Sequence, residues 1–150
     1  MASTSLSFAQ STPTDGTRWT WSGWVKRANL STAQTFASSY NGTNTDRIQF
    51  PSDDELHVEF KDGASTVLEL HTSQVFRDSS AWYHIIVAFD SNLTQADRVK
   101  IYVNGTRVTS FSTETQLSTS GYTTKGFNAN SKNFVLGAYE SSSLLNYYDG

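Results

Sequence analysis

Residues 82–90 read WYHIIVAFD, and after a gap of seven residues 98–108 read RVKIYVNGTRV. The first stretch is nearly continuously apolar, the pattern of a central strand covered on both faces. In the second, Val99, Ile101 and Val103 alternate with Arg98, Lys100 and Tyr102, the period of two by which a strand sends successive side chains to opposite faces. Asn104-Gly105 comes next, and both residues tolerate positive φ, so a type I′ turn is predicted with 106–111 as the return strand. Between the two stretches, 91–97 has room for a single helical turn.

A second hairpin lies upstream. Leu56, Val58 and Phe60 alternate with His57 and Glu59, the turn chemistry of Lys61-Asp62-Gly63-Ala64 follows, and Leu68 and Leu70 share one face of the next run. His57 and His71 both alternate away from apolar neighbours and are expected to face solvent. Further strands are predicted at 18–26, 34–40, 47–50 and 133–139, and the polar stretch 112–131 as a long surface loop. No segment carries a helical stripe. Short strands separated by polar turns predict an all-β fold, two antiparallel sheets packed as a sandwich.

The bulk numbers agree. A chain of 150 residues suits one domain, 1–150, able to bury roughly 70% of its unfolded surface. Aromatics make up 13%, too many for a disordered chain. A net charge of −3 without basic blocks gives no footprint for nucleic acid or an anionic membrane, and no apolar run approaches the ~20 residues of a membrane helix. With no cysteine, disulfides and thiolate metal sites are excluded.

WYHIIVAFD and RVKIYVNGTRV, with RWTWSGWVKR (18–27) before them and NFVLGAYE (133–140) after, resemble the laminin-G-like jelly rolls of the concanavalin A-like superfamily, in the same order and over nearly the whole chain. LSFAQSTPTDGTRWTWSGWVKRANLSTAQTFAS (6–38) is similar to the opening of such modules in virion structural proteins of tailed bacteriophages. The resemblance implies a two-sheet jelly roll on a virion, contacting cell-surface glycans or neighbouring virion subunits, and able to form a homo-oligomer. It also implies a further strand after the segment Tyr147-Tyr148-Asp149-Gly150, so the expectation is either a piece of a longer protein or a strand supplied by a partner.

Catalysis is not expected. Hydrolases of this fold need two carboxylates about 5–5.5 Å apart for retention, typically in E-x-D-x-x-E on one strand. Here Lys61 follows Glu59 where an acid is needed, and Glu55 lies too far along the strand from Glu59. Both acids are expected on a solvated sheet face. The three histidines are dispersed without zinc-ligand spacing, and there is no G-x-S-x-G elbow. Calcium is the possible cofactor, since relatives hold it with aspartates and loop carbonyls; Asp53, Asp54, Asp90 and Asp149 lie at strand ends, where loop capping is the competing role.

Sugar binding would use aromatic faces beside amides and hydroxyls. The candidates in predicted loops or strand ends are Tyr40, Asn41, Tyr122, Asn128, Tyr147 and Tyr148. Trp19 and Trp21 share one face of their strand and Trp24 takes the other, but all three, with Trp82, are expected in the core because tryptophan is highly buried on average. Two readings of function follow: a non-enzymatic adhesion module for glycans, or a structural module of virion assembly or decoration with no soluble ligand. A third, a glucanase relative that has lost its catalysis, is disfavoured by the missing acid pair.

Overall fold

The computed structural model describes residues 4–141 and 143–150. In chain order the strands are β1 (Leu6–Ala9), β2 (Arg18–Val25), β3 (Gln34–Tyr40), β4 (Thr45–Phe50), β5 (Glu55–Asp62), β6 (Ser65–Val75), β7 (Tyr83–Asp90), β8 (Val99–Val103), β9 (Thr106–Arg107), β10 (Phe111–Thr115), β11 (Asn133–Leu136), β12 (Tyr139–Glu140) and β13 (Leu144–Leu145). They form a seven-stranded sheet ordered β1-β11-β3-β4-β5-β6-β10, a four-stranded sheet β2-β7-β8-β9 and a small ribbon β12-β13. Every pairing within the sheets is antiparallel. Among the described residues the only helical piece is a 3₁₀ turn at Gln95–Asp97, in the stretch predicted to hold one turn.

Both predicted hairpins are present. Asn104 and Gly105 have φ of 50° and 82°, the positive pair that a type I′ turn needs. At the β5–β6 turn Gly63 sits at φ 62°, and a bulge between Phe60 and Lys61 shifts the register. That shift sets Phe60 opposite Leu68 and Val58 opposite Leu70, so both strands turn their apolar side chains inward.

The core lies between the sheets. Ile48, Phe50, Leu56, Val58, Phe60, Leu68 and Leu70 from the large sheet meet Val25, Ile85, Val87, Phe89, Val99, Ile101 and Val103 from the small one. Trp19 joins them, its ring 5.3 to 5.8 Å from Phe89, Phe127 and Phe60. Below the β4–β5 turn the Arg27 guanidinium is fully buried, 2.8 Å from Asp54 Oδ1 and 4.8 Å above the Phe50 ring. Arg77 holds the other oxygen of Asp54 at 2.9 Å.

Several expectations need correction. Strand β7 alternates between buried and half-buried residues, because its outer face has no layer over it. Trp24 and Trp82 are 64% and 57% exposed, outside the core. The return strand after Asn104-Gly105 is only Thr106–Arg107. The stretch 112–131 is not a free loop. It contributes to β10, buries Leu117, Thr124 and Phe127, and is pinned where Gly126 N and Phe127 N both donate to Asp46 Oδ2 at 2.8 Å.

Candidate functional site

Alternation that turns Ile48, Val58 and Leu70 inward necessarily turns their neighbours outward. On the outer face of β4, β5 and β6 this gives two cross-strand rows, Gln49–His57–His71 and Arg47–Glu59–Glu69. These side chains are polar yet crowded: Gln49, His57 and Glu59 are buried, with His57 only 6% exposed. The expectation that His57, His71 and the acids beside them are solvated is therefore wrong for His57 and Glu59. They shield one another across strands about 4.8 Å apart.

The rings of His57 and His71 stack 3.4 Å apart at an angle of 6°. His57 Nδ1 faces Glu59 Oε1 at 3.5 Å, and His57 Nε2 lies 3.2 Å from Asp53 Oδ2 and 3.7 Å from Glu55 Oε2. His71 Nε2 is 3.3 Å from Glu69 Oε1 and 3.6 Å from Glu59 Oε1. None of these contacts is aligned as a hydrogen bond at either Nε2, so both buried atoms are left without a partner. Arg47 donates through Nε and Nη2 to Glu59 Oε2, at 2.8 and 2.5 Å, and lays its guanidinium 5.3 Å from the Tyr139 ring. Burial pushes the Glu59 carboxyl up, but the neighbouring His57 imidazole and the Arg47 guanidinium outweigh it and hold the group at about 2. For His71, burial and the neighbouring His57 keep the imidazole below its ordinary value.

The loop residues singled out in the sequence do not converge on this face, and they fall into separate places and not into one site. Tyr40 donates to Gly42 O, and Asn41 closes its own turn onto Thr43 N and Asn44 N while donating to Lys125 O. Lys125 lies 5.3 Å over the Tyr122 ring, so these three form one cluster. Tyr122 itself is half-buried against the core, and burial, then the charges of Asp46 and Asp62, push its hydroxyl up. Asn128 belongs to a different contact, donating to Asp15 O and Arg18 O. Tyr147 bridges to Thr35, and the Tyr148 hydroxyl bonds both Lys26 N and Lys26 O with its ring 6.2 Å from Phe36.

The aspartates named for calcium are also distributed. Asp54 is taken by Arg27, Arg77 and Ser31 N, which leaves its charge already met by two guanidinium groups. Asp90 pairs with Arg18 at 3.2 Å, and Asp149 accepts from Asn29 at 2.6 Å. Asp53 alone joins the histidine cluster. Among the described residues, the groups with metal-binding geometry are Glu55–His57–His71 and Glu59–Glu69–His71. Sequence spacing missed both, because the fourteen positions from 57 to 71 meet only through the hairpin register.

This is a jelly-roll sandwich with a buried apolar interior and one densely polar outer face. The chain belongs to the Concanavalin A-like lectin/glucanases superfamily, whose Laminin_G_3 model matches residues 2–148. Among solved structures it is similar to the native heptameric SAP-like pentraxin from Limulus polyphemus, at 15% identity and a TM-score of 0.64. The match covers 97% of this chain and 65% of the pentraxin chain, so the present sequence spans just under two thirds of that protein. At that identity the likeness shows the fold. Comparison with curated proteins found no match.

Proposed function

We propose that this chain is a non-enzymatic binding module that holds glycan on the outer face of β4, β5 and β6. The observation that carries the reading is the polar face on three adjacent strands, where the half-buried Arg47, Glu69 and His71 reach solvent over the buried Gln49, His57 and Glu59, with Tyr139 at the side. Planar amide, imidazole, guanidinium and carboxylate groups on rigid strands match the paired donor and acceptor hydroxyls of a sugar, and an aromatic ring offers its apolar face. Membership of a superfamily described by its lectins and glucanases supports the same substrate class. Glu59 is unsuited to the general-acid role that hydrolysis needs, because that acid must be kept protonated whereas Glu59 is held at about 2. The virion setting is supported by the resemblance of residues 6–38 to phage structural modules. On a particle with many copies, weak single sites would add up through multivalency.

The test is a glycan-array screen of the purified domain beside three variants. Tyr139→Ala and Glu69→Gln are expected to weaken binding by more than about tenfold, a loss of roughly 1.4 kcal/mol, while leaving thermal unfolding unchanged. Tyr40→Ala is expected to bind as the wild type does. Loss of binding in Tyr40→Ala alone would move the site to the Tyr40–Asn41–Tyr122 cluster. Silence from a folded wild type would favour the assembly role, with neighbouring virion subunits as the partner.

A further inference from the structure

We propose that His57, His71 and Glu55 bind a divalent transition-metal ion of the zinc class, with Asp53 beside them. The site lies on the same polar face as the glycan reading but does not require that glycan binds there. Each of the three residues offers a ligand atom within 4.8 Å of the other two. Two imidazole nitrogens and a carboxylate oxygen suit zinc, cobalt, nickel or copper rather than calcium or magnesium, which prefer oxygen alone.

Three observations support the site. His57 is 6% exposed, and its Nε2 has no hydrogen-bond partner although two carboxylates crowd it. With Nδ1 turned to Glu59, His57 Nε2 faces the carboxylate oxygens of Asp53 and Glu55, donor atoms that a cation held between them would gather. The distances from Nε2 to those oxygens, 3.2 and 3.7 Å, bracket the roughly 3.3 Å edge of a tetrahedron with bonds of about 2.0 Å.

The surroundings are those of a metal ligand set. Histidine ligands commonly give their second nitrogen to a carboxylate, as His57 Nδ1 does toward Glu59, and ligating carboxylates are themselves held. Ser112 Oγ donates to Glu55 Oε2 at 2.5 Å. The parallel stack must open for both rings to aim at one ion, and His71, 15% exposed at its side chain, is the less buried of the two. The alternative trio of Glu59, Glu69 and His71 is less suited, because Arg47 already supplies a positive charge to Glu59.

Calorimetric titration of the intact domain with zinc chloride at neutral pH should show one ion bound per chain. Cobalt should give the visible absorption of a tetrahedral site, and zinc should displace it. His71→Gln and Glu55→Gln should each weaken zinc binding by more than about tenfold, whereas Glu69→Gln and His84→Gln should not, with circular dichroism confirming that every variant is folded. A folded wild type that binds no zinc overturns the proposal. So does a loss of binding in Glu69→Gln that Glu55→Gln does not share.

Discussion

The two sheets present outer faces built on the same alternation but with different chemistry. On the four-stranded sheet His84 stacks on Trp24 at 4.9 Å, and its Nε2 meets Ser22 Oγ at 2.9 Å. That histidine is satisfied by neutral neighbours on a half-exposed surface. On the seven-stranded sheet His57 and His71 stack on each other among four carboxylates, and neither Nε2 is satisfied. The ion pairs differ in the same way. Arg18–Asp90 lies on the exposed edge of the small sheet, whereas Glu59 of the Arg47–Glu59 pair is buried. A strand's period decides only which way a side chain points; the register of the next strand decides what it meets.

The largest effect is expected where charge is most deeply buried. Asp54→Asn leaves the fully buried Arg27 guanidinium with no counter-charge and should cost about 3–5 kcal/mol, read from urea unfolding. Asparagine tolerates the positive φ of 68° at that position, so the loss reports the charge rather than backbone strain.

On the polar face the effect should be smaller. Arg47→Ala removes the guanidinium from a buried carboxylate but leaves His57 and some solvent, and we expect about 1–3 kcal/mol. The matching change on the other sheet, Arg18→Ala, should cost no more than about 1 kcal/mol because that pair is exposed. The pH dependence sharpens the contrast. Glu59 has its folded value depressed from 4.5 to about 2, so its contribution is complete above pH 4.5 and is lost as pH falls toward 2. Thermal unfolding across that window should show a shallower acid loss in Glu59→Gln than in the wild type.

Asp46 works in the opposite direction. Burial raises it from 3.8 to about 7 against the two backbone hydrogen bonds it accepts, so between those values the folded chain holds a proton that the unfolded chain releases. That contribution is full below pH 3.8 and is lost as pH rises to 7.

Much of the fold was legible. Asn104-Gly105 and Asp62-Gly63 announce their turns through φ, and the runs around them announce their strands through alternation. The same alternation already set Trp24 against Trp19 and Trp21, and placing it in the core gave average tryptophan burial more weight than the local pattern. The site was less legible. Leu56, Val58 and Phe60 can share a face with Leu68 and Leu70 only if the hairpin carries an odd extra residue, and that parity brings His57 opposite His71. The roles of Asn128 and Tyr148 could not be read from neighbours in sequence, because their partners at Asp15, Arg18 and Lys26 lie more than a hundred positions away.

Everything functional here depends on β5 lying against β6 in the bulged register. The most direct measurement is the nuclear Overhauser spectrum of the three imidazole rings. A strong cross-peak between His57 and His71, with His84 connected instead to Trp24, is the predicted result. Absence of the His57–His71 cross-peak in the folded domain would contradict the register, and with it the polar face on which both the glycan and the metal readings stand.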